Sequence, residues 1–234
     1  MSEEFVIGVL GGMGTYATIH MFQQYAAIFP AVKEWERPRI IIDNRCTMPS
    51  RVLAFLKHID EDKLVDQMEE SLSNLANSGC TRIILACNTS HLFLQKIYEK
   101  NPTLEKHIVH LIHNCVSRIA VDGTKSIYLL GSEGTIESKI YQNALAERQI
   151  ECIVPNQDEY SKLRECIEAV KQNSNMNVVK DTFLKLVNKY DRCILGCTEL
   201  PIIYEAFHND VSCEAIYDPL QIALETLKKE YDHE

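Results

Sequence analysis

Short apolar segments rich in isoleucine, valine and leucine alternate along the chain with longer stretches whose apolar residues recur at helical spacing. Because strands that alternate with helices pair in parallel, this pattern predicts an α/β protein. The predicted strands are Phe5–Leu10, Arg39–Asp43, Arg82–Ala86, Ile108–Ile112, Ser126–Leu130, Glu151–Val154, Arg192–Leu195 and Glu214–Tyr217.

The clearest helix is predicted over Asp60–Asn77, with Gly79 in the left-handed conformation that ends many helices. Its apolar side chains recur every three or four residues: Leu64, Met68, Leu72 and Leu75. The segment Asp218–Glu234 is also predicted to be helical and to pack on the first of the two lobes that are predicted below.

Two motifs occur twice, in the same order. Residues 9–15 (VLGGMGT) match 129–135 (LLGSEGT), and residues 82–89 (RIILACNT) match 192–198 (RCILGCT). Coincidence among ordinary strand ends is one explanation, but two matches in order favour a duplicated half. We therefore predict two pseudo-symmetric α/β lobes, each a mainly parallel sheet flanked by helices, with the active site in the cleft between them. The predicted domains are 1–115 with 218–234, and 116–217, joined by a short crossover near Asn114–Lys125.

Composition narrows the class of protein. The 234 residues are 46% hydrophobic, enough for a substantial core, and the net charge of −9 disfavours a nucleic-acid partner. We find no basic signal sequence and no apolar run of about 20 residues, so we expect a cytoplasmic protein without a membrane partner. Nine cysteines, an odd number without regular spacing, are expected to be free thiols.

Cys87 and Cys197 each follow a predicted strand, where ligands bind in open parallel sheets. Two facing lobes would place the two thiols on opposite walls of one cleft. Such a pair suits racemisation, which removes a proton from one face of a carbon and returns one to the other. The other seven cysteines lack supporting motifs and are expected to be structural.

Five segments resemble the aspartate/glutamate racemase superfamily, and its aspartate racemase branch most closely: GGMGT (11–15), PSR (49–51), ACNTSH (86–91), LLGSEGTIESKIY (129–141) and GCTEL (196–200). The sequence departs from the family at Thr15, where proline is common, and at Ser90, where alanine is frequent. Glu199 and Leu200 replace the His-Tyr pair of the glutamate racemase branch. The resemblance implies Cys87 and Cys197 as catalytic acid/base groups, no cofactor or metal, and a homodimer.

The resemblance also implies the surroundings of the substrate. Arg51 matches an arginine that binds the side-chain carboxylate, whereas Lys162 aligns less securely with a substrate-binding lysine and fits an exposed helix position equally well. The expected substrate-binding residues are Met13, Arg51, Asn88, Thr89, Thr135, Lys162 and Thr198. The expected supporting residues are Gly12, Gly14, His91 and Glu199, of which His91 orients the Cys87 loop.

Several alternatives stay open. GGMG lacks the spacing of a dinucleotide fingerprint, so we interpret it as a close backbone approach to a small substrate near Met13. Cys87 with His91, or Cys193 with Cys197, has the spacing of two metal ligands but not the tighter pairs of structural zinc sites. The expected substrate is aspartate or glutamate. Other two-cysteine enzymes of the superfamily (a hydantoin racemase or a maleate isomerase) and a non-catalytic amino-acid-binding protein remain possible.

Overall fold

The computed structural model describes residues 4–233 and divides into two compact units. One unit runs to Leu111 and resumes at Leu220, and the other spans Ile112–Pro219. The domain bounds predicted from the sequence, 1–115 with 218–234 and 116–217, stay a prediction. Residues 1–3 and 234 of the first domain lie outside the described residues.

The first unit is built around a four-stranded parallel sheet in the order β2-β1-β3-β4. Its strands are β1 (Val6–Gly11), β2 (Arg39–Asn44), β3 (Arg82–Leu85) and β4 (Ile108–Val109). Its helices are α1 (Thr15–Ile28), α2 (Arg51–Lys57), α3 (Glu61–Asn77), α4 (Leu94–Lys100) and, from the far end of the chain, α11 (Pro219–Tyr231).

The second unit contains a parallel sheet in the order β6-β5-β7-β8. Its strands are β5 (Ser126–Gly131), β6 (Glu151–Ile153), β7 (Arg192–Gly196) and β8 (Ala215–Tyr217). Its helices are α5 (Leu111–Val121, whose first residue closes the first unit), α6 (Glu133–Glu137), α7 (Ile140–Ala146), α8 (Gln157–Lys171), α9 (Lys180–Val187) and α10 (Leu200–Phe207).

The two sheets have the same strand order, with β5 to β8 corresponding to β1 to β4. The predicted α/β architecture of two parallel sheets flanked by helices is confirmed. Both central strands of the first sheet, β1 and β3, are almost entirely buried, as expected for strands covered on both faces. Since the repeated motifs follow corresponding strands, the topology supports a duplicated half.

All eight predicted strands exist, but the prediction for Ile108–Ile112 was too long. Strand β4 ends at Val109, and Leu111 already begins α5. Buried apolar residues recur at helical spacing from that point: Leu111, Ile112, Cys115, Val116 and Ile119. The crossover predicted near Asn114–Lys125 is consequently helical as far as Val121, because the helical pattern outweighs the short apolar run that resembles a strand.

The predictions for two helices are confirmed. Helix α3 is followed by Gly79 at φ +89°, in the left-handed region. Helix α11 packs on the first unit, where Glu230 pairs with Arg82 (Oε2 to Nε, 2.7 Å) and the Tyr231 hydroxyl donates to the Glu36 carbonyl (2.9 Å). Within residues 4–233, no helix combines the length and apolar character needed to cross a membrane.

Candidate active site

The first glycine motif forms the turn between β1 and α1. Gly12 has φ +78°, and a Cβ atom there would lie 2.4 Å from the carbonyl carbon of Arg45. The chain's own backbone at Arg45 and Cys46 therefore explains why glycine is needed at Gly12. The close approach that we had attributed to a substrate is, at Gly12, an approach between two turns of the protein.

Replacing Gly12 with alanine is expected to destabilise the protein by at least about 2 kcal/mol, because left-handed strain and overpacking add. Gly79→Ala is the matched control, since Gly79 is also left-handed but its Cβ would meet nothing within 4 Å. Gly79→Ala should lower the free energy of unfolding only by the backbone strain of the left-handed conformation, about 1–2 kcal/mol. Urea unfolding of both variants measures the difference. Equal losses would contradict the packing argument.

Arg51 lies beside the same turn, at the first position of α2. Its Nη2 donates to the Met13 carbonyl (2.7 Å) and its Nη1 to the Pro49 carbonyl (3.0 Å). The Nε atom is buried and has no hydrogen-bond partner within the described chain. A buried donor without an acceptor costs free energy unless a bound group accepts from it. Arg51 is thus fixed by two carbonyls and retains a donor for a further acceptor.

Cys87 follows β3, and its backbone is held by the residues after it. The Ser90 hydroxyl donates to the Cys87 carbonyl (2.6 Å), and His91 Nδ1 lies 3.0 Å from the same oxygen. The Leu111 N–H donates to His91 Nε2 (3.3 Å), so Nδ1 carries the proton and the imidazole is neutral. His91 positions the loop through its backbone. With both ring nitrogens engaged, it is not available to bind zinc together with Cys87.

The predicted polar residues beside the cysteines are buried: Asn88, Thr89 and Thr198. Thr135, at the start of α6, is also buried, and its hydroxyl lies 3.0 Å from the Ser132 hydroxyl, which caps that helix. Gly14 caps the N-terminus of α1. Within residues 4–233, no three His, Cys, Asp or Glu side chains come together as a metal site.

Cys197 follows β7 and lies three residues before α10 begins at Leu200, and its thiol contacts a carboxylate. The Sγ atom donates to Glu199 Oε2 at 2.9 Å, and both side chains are buried, with exposed fractions of 9% and 3%. The second carboxylate oxygen, Oε1, is buried and accepts no hydrogen bond within the described part of the chain. A thiol and a carboxylate therefore share a buried site at the carboxyl ends of the strands.

Burial and Glu199 together raise the pKa of the Cys197 thiol well above its usual value. Burial has the largest effect, the negative charge and hydrogen bond of Glu199 add to it, and the positive charge of Lys171 opposes it. Desolvation lowers the pKa of Lys171, but the charges of Glu199, Cys197 and Glu168 outweigh it and raise that pKa. Burial and Glu199 thus favour the neutral thiol form of Cys197, and the charge of Lys171, whose Nζ pairs with Glu168 (3.2 Å), opposes them.

Comparison with known proteins identifies the family. The sequence model of the family described as Asp/Glu/Hydantoin racemase matches residues 10–227. The chain belongs to this racemase family. Similar proteins include the "Broad specificity amino-acid racemase RacX" of Bacillus subtilis, 24% identical over 215 residues that cover 88% of this chain and 90% of that protein.

Solved structures of racemases share the fold. The aspartate racemase of Picrophilus torridus superposes with a TM-score of 0.83 at 22% identity, covering 97% of this chain and 94% of that one. The glutamate racemase of Thermus thermophilus gives a TM-score of 0.67 at 16% identity, covering 100% of this chain and 82% of that one. The resemblance inferred from the motifs is thereby confirmed at the level of the family.

In this member of the racemase family, Lys171 and Tyr160 are two residues that interact electrostatically with Cys197 and that we did not predict. Burial raises the pKa of Tyr160 to about 12, with Glu133 and Cys197 adding to the effect. Tyr160 and Lys171 are eleven residues apart on α8, about three turns, so they share one face. The helical spacing that places Lys171 on the same face as Tyr160 was the signal in the sequence that could have identified this lysine.

Lys162 lies elsewhere on the same helix. It is exposed, and its charge acts on Glu159 near the start of α8. It precedes Lys171 by nine residues, about two and a half turns, which places the two lysines on opposite faces. Lys171 is the cation whose charge acts on the pKa of Cys197, and the role of Lys162 stays a prediction.

Two substitutions are expected to shift the pKa of Cys197 in opposite directions. Glu199→Gln removes a negative charge, so the thiol should ionise at lower pH than in the unmodified protein. Lys171→Met removes the opposing positive charge, so the thiol should ionise at higher pH. Alkylation of the Cys197 peptide by iodoacetamide as a function of pH, followed by mass spectrometry, measures both. Lys162→Met is the control and should leave the profile unchanged; a shift there, or none in the other two, contradicts this electrostatic account.

Proposed function

We propose that this family member is a cofactor-independent racemase of an acidic amino acid, with aspartate the preferred substrate and glutamate the alternative. The observation that carries the proposal is the hydrogen bond of 2.9 Å that the buried Cys197 thiol donates to the Glu199 carboxylate. A thiol held neutral in this way is suited to deliver a proton to a carbanion. Cys87 follows the corresponding strand of the other sheet, which makes it the candidate for the opposite role.

The proposed reaction is a proton transfer at Cα with no net redox change. The Cys87 thiolate removes the Cα proton, and the electron pair of the broken C–H bond passes into the substrate carboxylate as an enediolate. Cys197 then donates its proton to the opposite face of Cα and becomes a thiolate. The reverse direction exchanges the two roles. The proposal requires both thiols to reach one Cα from opposite sides.

Substrate choice is proposed to rest on two cations. The fork of Arg51, fixed by the Met13 and Pro49 carbonyls, is suited to a carboxylate. Lys171 is proposed to replace Lys162 as the second cation, since its charge acts at Cys197. Asn88, Thr89 and Thr198 would bind the α-carboxylate and amine. On the resemblance alone we also propose a cytoplasmic homodimer, which analytical ultracentrifugation would detect.

The test of the proposal is incubation of the purified chain with L-aspartate in deuterated water. We expect deuterium at Cα together with appearance of D-aspartate, and a slower reaction with L-glutamate. The same assay with a hydantoin and with maleate tests the other two-cysteine enzymes of the family. Inertness toward both acidic amino acids would overturn the proposal, and binding without exchange would indicate a non-catalytic protein.

A further inference from the structure

The second unit contains a cavity at the amino ends of its strands, whereas Cys197 lies at their carboxyl ends. Its volume is about 240 Å³, and its walls include the first residues of β5 and β7, Ser126 and Arg192. Cys197 follows the last residue of β7, so five residues, or about 16 Å of extended chain, separate it from Arg192. The cavity is therefore distinct from the racemase site proposed above.

Arg192 supplies a cation to this cavity, and within residues 4–233 it is linked to the Asp122 carboxylate only through the Tyr217 hydroxyl, which donates to Asp122 (2.9 Å). Its Nη1 donates to two neutral oxygens at the long limit of hydrogen bonding, Thr124 Oγ1 and the Tyr217 hydroxyl, both at 3.4 Å. Among the described residues, no carboxylate lies within ion-pair distance of its guanidinium. A half-buried guanidinium with spare donors favours a carboxylate or another planar anion.

A smaller part of the lining is apolar. Tyr190 and Ile153 are both half-buried there, and Tyr190 packs on the fully buried Tyr128 with ring centroids 4.7 Å apart. A dry cavity of about 150 Å³ is large enough to bind benzene. A volume of about 240 Å³ thus has room for an apolar side chain and two small polar groups, but lies below the range of about 300–1,000 Å³ that is usual for drug-sized ligands.

Charges of both signs line this space. Lys125 joins Arg192 on the positive side, and Asp191 and Glu214 provide two carboxylates. A ligand that carries only negative charge would be attracted by the two cations but repelled by the two carboxylates. A ligand with one carboxylate and one ammonium group matches both pairs, and an apolar substituent matches Tyr190 and Ile153.

We propose that this cavity binds a zwitterionic amino acid with an apolar side chain, at a second site that is separate from the two cysteines. The carboxylate of the ligand would pair with Arg192 and its ammonium group with Glu214 or Asp191. The side chain would pack against Tyr190 and Ile153. The site is non-catalytic, because its lining offers no thiol to a bound Cα.

Isothermal titration calorimetry of the full chain tests this inference with three related probes. L-Phenylalanine carries both charges, 3-phenylpropionate lacks the ammonium group, and phenethylamine lacks the carboxylate. Saturating L-aspartate in every titration occupies the proposed racemase site. We expect phenylalanine to bind at least tenfold more tightly than either of the other two probes.

Variants locate the binding site. Arg192→Met should weaken phenylalanine binding at least tenfold, whereas Arg148→Met, at an exposed arginine in the same unit, should leave it unchanged. Because Arg192 also contacts Thr124 and Tyr217, a second variant is needed that does not disturb packing. Glu214→Gln, at an exposed position, should weaken binding of phenylalanine but not of 3-phenylpropionate.

Two outcomes overturn the inference. If phenylalanine does not bind, or binds Arg192→Met as tightly as the unmodified protein, the cavity is not the site. If 3-phenylpropionate binds as tightly as phenylalanine and Glu214→Gln has no effect, the cavity is a site for small anions only. Neither result depends on racemase activity, which is measured separately.

Discussion

Replacing either Cys87 or Cys197 with alanine is expected to lower the rate of aspartate racemisation by about 10²–10⁴-fold, the usual contribution of a positioned acid or base. The two-thiol reaction also predicts a more specific result. Each variant keeps one thiol, which can remove a proton from only one enantiomer and return deuterium to the same face. Cα exchange without inversion should therefore persist, in one enantiomer for Cys87→Ala and in the other for Cys197→Ala.

The measurement is nuclear magnetic resonance of L- and D-aspartate incubated separately with each variant in deuterated water. Cys213→Ser is the matched control, because Cys213 lies at the amino ends of the strands of the second sheet, just before β8. Its thiol donates to the Asp191 carbonyl (3.2 Å), and a serine hydroxyl can replace that donor. That variant should racemise aspartate at the normal rate. Racemisation at full rate by either alanine variant would be incompatible with the two-thiol reaction.

The second large effect is expected at Arg51. Truncating one partner of a buried, hydrogen-bonded charge pair costs about 2–5 kcal/mol, and about 1.4 kcal/mol corresponds to tenfold. Arg51→Met should thus reduce kcat/KM for aspartate by about 10²-fold or more. Arg51→Lys should recover little of it, because an ammonium group cannot reproduce the planar fork.

Selectivity separates a substrate contact from a merely structural role. If Arg51 binds the side-chain carboxylate, its loss should reduce kcat/KM for aspartate more than for alanine, which has no such group. Arg45→Met is the control, since Arg45 braces α3 through the Gln67 carbonyl (3.1 Å) and Glu70 (2.8 Å). That variant should change stability without changing the aspartate-to-alanine ratio. An equal loss for both substrates in Arg51→Met would remove Arg51 from the substrate site.

The sheets could be predicted from the sequence because buried parallel strands are short runs of Ile, Val and Leu. Segment Arg82–Leu85 is an example, buried along nearly its whole length. The same property misled us at Leu111–Ile112, since a buried helix start and a buried strand end have the same composition over two residues. Only the recurrence of apolar residues farther along α5 separates the two possibilities.

The candidate site was predictable where chemistry lies next to a strand end in the sequence, as at Cys87 and Cys197. Lys171 could not be found in this way, because it is brought to Cys197 by the length and rotation of α8. Glu199 was expected as a supporting residue. Its direct bond to the thiol depends on a side-chain direction that the sequence does not encode locally.

The return of α11 to the first unit determines the order in which the chain can be completed. Residues Arg82 and Glu230, which form an ion pair, are separated in the sequence by the entire second unit. On the ribosome, the second unit emerges whole before the helix that finishes the first one. The strands of the first unit must therefore wait, without their last covering helix, until the whole second unit has been synthesised.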